Sequence, residues 1–443
     1  MNSSIWMISG ITLLISYKLF SKAAGTLNIR YFNTITYVFY YSIILSTFIG
    51  SILCAYDFGE DHWILSNAHH EARIKAWLAV CYSMIAMPIG MILLNNLFKV
   101  HPKRDLKRYI SEQIQFHLTN QHLKSVLGFS ILISCCCFLY IKHYSSSWPL
   151  YSAVIEHDLV AATEGRIDVR LNFQGIIHIK NLIGLYLVPL LSFFAYIVSQ
   201  FKHGWFYKFS FYAILIFTLL ILSYDTQKAP IIFYLIGFII IRVLIKGAIP
   251  IKYIIIFVLT ALLIMALLYT LFNTTTNGAL DIILDPRSAM WGRMFISGYA
   301  GVPLSFEWFP NVITQPTWQI GFPEFILNLF DLPTTESARL LMLNLNPDGN
   351  LISSYYIAEA WANYGLIGVI IAPFIVGFNV QLIQIFLFKS TKNPLTIAFY
   401  AIVTTKWVVS SGFVNFLFFK SIIFSFLVYY LAKLIIYRLT IKI

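Results

Sequence analysis

Charge is scarce in this chain. Only 11% of its residues are Asp, Glu, Lys or Arg, while 59% are hydrophobic. A water-facing globular domain carries about 25% charged residues, so the scarcity excludes a protein solvated over its whole surface. Carboxylates are scarcest: 19 Asp and Glu stand against 31 Lys and Arg, a formal net charge of +12. That excess does not make a nucleic-acid-binding face, because the cations are spread between apolar runs, as membrane insertion requires. Cysteine is rare too. Cys54, Cys81, Cys135, Cys136 and Cys137 all lie in or beside apolar stretches, which argues against a disulfide framework and a zinc-type ligand set. The run 135–137 reads as small apolar filler in a helix. A cleavable leader is also missing: no basic segment precedes the apolar run 5–17 and no small-residue cleavage site follows it. That run reads as a short first span.

What the chain has in abundance is long apolar sequence. Stretches long enough to cross a hydrocarbon core, roughly 17–25 residues, lie near 4–18, 32–56, 76–98, 125–141, 181–199, 209–223, 230–247, 253–272, 364–388, 394–412 and 416–437. The sixth and seventh share the small gap 223–230 and read as a hairpin. The expected fold class is all-α: a polytopic integral membrane protein of about 11 transmembrane helices, one transmembrane domain over residues 1–443.

Orientation follows from Lys and Arg in the short connections. Lys99, Lys103, Arg104, Lys107, Arg108 and Lys124 crowd one connection and predict it to be cytoplasmic. Counting outward, the same side holds Lys18, Lys22 and Arg30, then Lys202 and Lys208, then Arg242, Lys246 and Lys252, then Lys389 and Lys392, and finally Arg438 and Lys442. The N-terminus is therefore expected outside and the C-terminus inside. Two long connections then face outward, 142–180 and 273–360. The second holds Trp291, Trp308 and Trp318 with many other aromatics and prolines, a composition that can fold against the membrane surface and carry function. No internal repeat stands out, which disfavours an inverted-repeat transporter.

The outward side also carries cations. Arg166 and Arg170 flank Asp168 in the first long loop, and their four-residue spacing puts both guanidiniums on one face of a helix. Arg287 and Arg293 stand in the second. Lys228 opens a span, Lys406 lies beyond the middle of another, about 18 Å from its inner end at 1.5 Å per residue, and Lys420 begins the last. A cation at the bilayer centre costs about 2.5–3.5 kcal/mol. Two readings stand side by side. Singly, each cation pairs with a neighbouring carboxylate or snorkels to the interface; together they make an anion-binding site at the outer lipid boundary.

Among carboxylates, Glu359 lies where the second long loop meets a span, on one helical face with Tyr356 and Asn363. It is either a paired structural residue or a general base. Asp348 and Asn350 belong to a Pro-Asp-Gly turn. Asp57, Glu60, Asp61, His62, His69, His70 and Glu71 form a polar outer connection without a metal-ligand spacing, read as a solvated loop with no metal site.

Four stretches carry a resemblance. Trp148-Pro149-Leu150-Tyr151 opens the first long loop, followed by Arg166 or Arg170. The turn Ser223-Tyr224-Asp225-Thr226-Gln227-Lys228-Ala229-Pro230 leads directly into a span. Gly292-Arg293-Met294-Phe295 and Gly298-Tyr299-Ala300-Gly301 lie in the second loop. Ile357-Ala358-Glu359, Asn363-Tyr364-Gly365 and Gly368 mark the return to the membrane. Over roughly residues 145–385 the chain resembles the Wzy-type oligosaccharide repeat-unit polymerases of O-antigen and capsule synthesis. That family has an Arg followed eleven positions on by a Gly in each long outer loop. Arg287 and Gly298 keep that spacing, whereas Ile177 and Asn181 follow Arg166 and Arg170. Lys228 stands where the family commonly has Arg.

The resemblance implies a bacterial inner-membrane glycosyltransferase. Its donor is a glycan on undecaprenyl pyrophosphate, and its acceptor is the non-reducing hydroxyl of a single lipid-linked repeat unit. Arg170, Lys228, Arg287 and Arg293 are the candidates for neutralising the leaving pyrophosphate, Arg287 as a catalytic residue; Arg166 and Lys406 join Arg170, Lys228 and Arg293 as substrate-binding candidates, and Glu359 is the candidate for activating the acceptor hydroxyl. No cofactor is implied. The partners are membrane lipids, a chain-length regulator and a flippase, with no nucleic acid. An O-antigen ligase is the nearest alternative, but its long outer loop holds a histidine, and 273–364 has none. A metal-dependent lipid-phosphosugar transferase would use the Asp57 to Glu71 region. A lipid-linked oligosaccharide flippase would line a cavity with polar groups across both leaflets.

Overall fold

The computed structural model describes residues 2–58, 62–145, 148–154, 173–272, 291–313, 337–346, 354–406 and 411–439, with the isolated positions 156, 158, 161, 165, 169, 327, 329, 352 and 409. Among them the chain is all-helical, and nine helices are long and apolar enough to cross a membrane. The reason is chemical: lipid offers backbone amides and carbonyls no partner, so an apolar run must satisfy them within itself.

In chain order the main helices are α1 (Asn2–Ala24), α2 (Thr34–Ala55), α3 (His70–Leu97), α4 (Pro102–Ser111), α5 (Asn120–Tyr144), α6 (Ile179–Phe201), α7 (Trp205–Leu222) and α8 (Lys228–Lys246). They continue with α9 (Ile251–Phe272), α10 (Gly301–Trp308), α11 (Ile357–Lys389), α12 (Pro394–Lys406) and α13 (Lys420–Tyr437). Every apolar stretch picked from the sequence holds one. Two differ from expectation. The first span runs the full 23 residues of α1, mainly because the helix continues past Lys18 through Ala24. The stretch 394–412 is helical only through Lys406, a helix of 13 residues.

The centre of the bundle is α3, with α1, α10 and above all α11 packed on it. Small residues allow that approach: Gly90 faces the backbone of Phe374, and Gly377 faces that of Met87. A second layer, α5, α6 and α7, joins through α12, which packs on both α6 and α8.

Buried polar groups tie the helices where they enter the basic end, the end carrying the Lys- and Arg-rich connections. Asn95 Nδ2 donates to Ala23 O (3.2 Å), Gln381 Nε2 to Asn95 Oδ1 (2.6 Å), and Gln384 Nε2 to Ala24 O (3.0 Å). Asn95 and Gln384 thereby satisfy the last carbonyls of α1, which have no partner inside their own helix, and Gln381 holds Asn95 in place. Lys392, between α11 and α12, donates to Ile110 O and Glu112 O, each at 2.8 Å, and so fixes α4 to the bundle. Burial lowers its ammonium to about 8, with Glu112 opposing.

Every residue of α12 from Pro394 to Thr405 is buried. Thirteen residues rise about 20 Å, against about 30 Å of hydrocarbon. Asn393 Oδ1 accepts from Thr396 N (2.8 Å), which fixes the start of the helix beside Lys392. The far end of α12 therefore stops inside the bundle. Such a break is tolerated only where protein encloses it.

Candidate functional site

The break after Lys406 is the structural centre of the candidate site. Beyond it the chain runs non-helically through Val409 and 411–413, makes one helical turn at Val414–Leu417, and passes a left-handed Phe419 (φ 52°) into α13. Its backbone groups are taken up by α11 and the residues before it. Tyr356 N donates to Val409 O (3.3 Å), Val414 N to Glu359 Oε2 (2.8 Å), and Asn379 Nδ2 to Phe416 O (3.1 Å).

Glu359 reaches this segment because α11 is itself broken. Gly365 has φ 56° and ψ −141°, a backbone conformation open to glycine and strained for other residues. The turns before it fold back, so that Ala360 O lies against Gly368. Trp361 holds the folded-back turns to α10: its Nε1 donates to Phe309 O (3.0 Å), and its ring stacks on Phe306 at 4.5 Å. Glu359 is thereby buried, 7% exposed, against Gly412.

Tyr355, Tyr356 and Asn363 are buried around it. Burial pushes the Tyr355 hydroxyl up to about 12, and that of Tyr356 well above its ordinary value. Both phenols therefore stay protonated near neutral pH, and the Tyr355 hydroxyl is hydrogen-bonded with Ser83 Oγ at 3.1 Å. Asn363 is 4% exposed, and neither its Oδ1 nor its Nδ2 meets a protein partner among the described residues. An unpaired buried amide costs about 1–3 kcal/mol. Tyr356, Glu359 and Asn363 are thus all buried at or beside the start of α11.

Lys406 stands on the other side of the same break. A small void is bounded by Lys406, Thr405, Pro189, Phe233, Tyr234 and Pro230, and the ammonium lies 5.9 Å from the centre of the Tyr186 ring. Asp225, buried in the turn before α8, acts on that charge through space. The turn itself is built by Asp225 Oδ1 accepting from Gln227 N (3.2 Å), with Thr226 left-handed at φ 55°. Lys228 is the first residue of α8, two positions from Pro230. The fold therefore brings the Lys228 backbone and Lys406 to one place.

Lys180, which sequence reasoning passed over, joins this group. It is 2% exposed, and its ammonium lies 4.4 Å from the centre of the Phe173 ring and 5.3 Å from that of Tyr224. Both are cation–π distances. Its one sequence signal is a lysine at the start of an apolar run.

The Arg293 backbone lies in the helical turn Gly292–Ser297, which packs on α2 through Gly50 and Gly298. Arg166, Arg170 and Arg287 lie outside the described residues, as do the side chains of Lys228 and Arg293. The polar 57–71 connection is organised by ion pairs. Asp57 accepts from Arg73 Nη1 and meets His70 Nδ1, each at 2.9 Å, and His69 Nδ1 meets Glu307 of α10 at 2.7 Å. His62, whose pKa is lowered by burial, faces Ser297 Oγ at 3.4 Å. Among the described residues no three metal-ligating side chains converge. These contacts clip α10 to the start of α3 and so support the turns that carry Glu359.

Chemically the site offers a buried carboxylate beside an amide unpaired among the described residues, with the Lys406 ammonium across a break in the helices and the buried Lys180 ammonium near it. Comparison with known protein families, with curated proteins and with solved structures finds no match for the chain.

Proposed function

We propose that this chain is a membrane polymerase that joins undecaprenyl-pyrophosphate-linked oligosaccharide repeat units into O-antigen or capsular polysaccharide. In this reading it works at the periplasmic face of a bacterial inner membrane, with its basic end in the cytoplasm. The observation that carries the reading is that Glu359 and Lys406 flank one protein-enclosed break in the membrane helices. A substrate with a lipid tail and a polar head needs such a break: protein-lined polar groups at the depth where the head meets the acyl chains.

The reaction balances with these groups. The Glu359 carboxylate accepts the proton of the acceptor hydroxyl as the oxygen attacks the anomeric carbon. A glycosidic C–O bond forms, the C–O bond to the lipid pyrophosphate breaks, and the pyrophosphate leaves with its electron pair. Cations receive that charge: Lys406 with Lys228, and Arg166, Arg170, Arg287 and Arg293 from the outer loops. Asn363 suits a sugar hydroxyl, since its amide both donates and accepts. The donor is already activated, so the work left to the protein is positioning and charge neutralisation.

The test uses purified protein in liposomes with lipid-linked repeat units extracted from cells lacking it. Products rising stepwise by whole repeat units support the polymerase. Transfer of one glycan to a lipid A core, or passage across the bilayer without a new linkage, contradicts it.

A further inference from the structure

The basic end holds a cleft that the proposed reaction does not use. It opens between α1 and α4, has a volume of about 940 Å³, and is lined by Lys18, Lys22, His101, Lys103, Arg104 and Lys107. We propose that this cleft binds the phosphate-bearing headgroup of an anionic lipid, such as the two linked phosphates of a cardiolipin.

The cleft is built by a close backbone approach. Gly25, at φ +83°, ends α1 against the first turn of α4; a Cβ there would stand 2.6 Å from Lys103 N. A side chain at that position would push the two helices apart. The carboxylate nearest in sequence, Asp105, is buried and committed. Its Oδ2 accepts from His101 N at 2.8 Å, and its Oδ1 faces Arg104 Nε at 3.4 Å.

Other cations at the same end serve the fold: Arg30 donates to Ile249 O, Arg108 to Phe388 O, and Lys392 to Ile110 O and Glu112 O. Lys18, Lys22, Lys103 and Lys107 are exposed and have no such partner among the described residues. Four unpaired ammonium groups around one cleft repel each other until a polyanion enters.

The apolar surface above the cleft selects a lipid over a free phosphate. Ile11, Leu14 and Lys18 follow one face of α1 at helical spacing, and Ile11 and Leu14 are 51% and 67% exposed. An acyl chain lying along that face delivers its headgroup to Lys18 and Lys22. The inference stands whichever reaction the opposite end performs.

Native mass spectrometry of the full chain in detergent tests it, with cardiolipin, phosphatidylcholine and inorganic pyrophosphate added separately. Wild type should retain cardiolipin at least tenfold more tightly than phosphatidylcholine. Lys22→Gln combined with Lys103→Gln and Lys107→Gln should weaken cardiolipin roughly a hundredfold, while Lys124→Gln with Lys208→Gln, outside the cleft, leaves it unchanged. Equal binding of the two lipids, or a triple variant that binds like wild type, overturns the proposal. Pyrophosphate binding lost in the triple variant, with no preference for cardiolipin, overturns the lipid assignment.

Discussion

Glu359 Oε2 accepts a hydrogen bond from Val414 N at 2.8 Å, linking positions 55 residues apart and closing the broken end of α12 against the folded-back start of α11. The same carboxylate serves structure and, in the proposed reaction, proton transfer. Two substitutions separate those roles. Glu359→Gln keeps an acceptor for Val414 and should fold normally, yet lower polymer formation about 10²-fold or more through loss of the base. Glu359→Ala also removes the acceptor and should cost a further 1–3 kcal/mol or so of stability. Thermal unfolding in detergent, measured beside activity, distinguishes the two.

Gly412 makes room for that carboxylate. A Cβ there would stand 2.5 Å from Glu359 Oε2 and 3.0 Å from its carboxyl carbon, both within touching distance. Gly412→Ala should therefore displace Glu359 and reduce activity strongly, at a stability cost of about 1–3 kcal/mol. Wild-type activity in this variant would mean the carboxylate has no fixed position to lose.

Gly365 supplies the reversal that buries Glu359. A Cβ at Gly365 meets no atom within 4 Å, so the penalty of Gly365→Ala is conformational alone, about 1–3 kcal/mol for the strained φ and ψ. The expected outcome is a lower unfolding temperature with activity lost in parallel. An unchanged unfolding temperature would show that the reversal is absent.

Lys406 stands among apolar and aromatic side chains at the end of α12. Replacing a buried cation by an isosteric apolar group is often neutral or stabilising. Lys406→Met should thus unfold no earlier than wild type, while its lipid-linked donor binds at least tenfold more weakly, seen as a raised KM. A variant with unaltered KM removes Lys406 from the anion site.

His62 sets a pH dependence in the connection before α3. Burial lowers its folded-state pKa below the ordinary value near 6.5. The unfolded chain therefore binds the proton more readily, and the contribution is fully present above pH 6.5. It is lost as pH falls through the folded value. Unfolding temperature should drop between pH 7 and pH 5 more steeply in wild type than in His62→Gln.

Much of this arrangement is legible in the sequence because hydropathy needs only length: each apolar stretch became a helix. Helical spacing marked Tyr356, Glu359 and Asn363 as a group, and all three are buried. The two breaks were not. Gly365 is one glycine in an apolar run, and Trp407, Val408 and Val409 continue the apolar pattern past the point where α12 stops, so hydropathy cannot mark that end. Lys180 was missed because one of the rings it lies over, Tyr224, belongs to the turn before α8, a part of the chain that only the fold brings to it.

A gel ladder of surface polysaccharide tests the central claim most directly. Cells lacking this chain should show a single capped repeat unit. The wild-type gene should restore the full ladder, and the Glu359→Gln gene, expressed to the same level, should not. A normal ladder in the cells lacking the chain contradicts a polymerase, and a normal ladder restored by Glu359→Gln contradicts the role of the carboxylate.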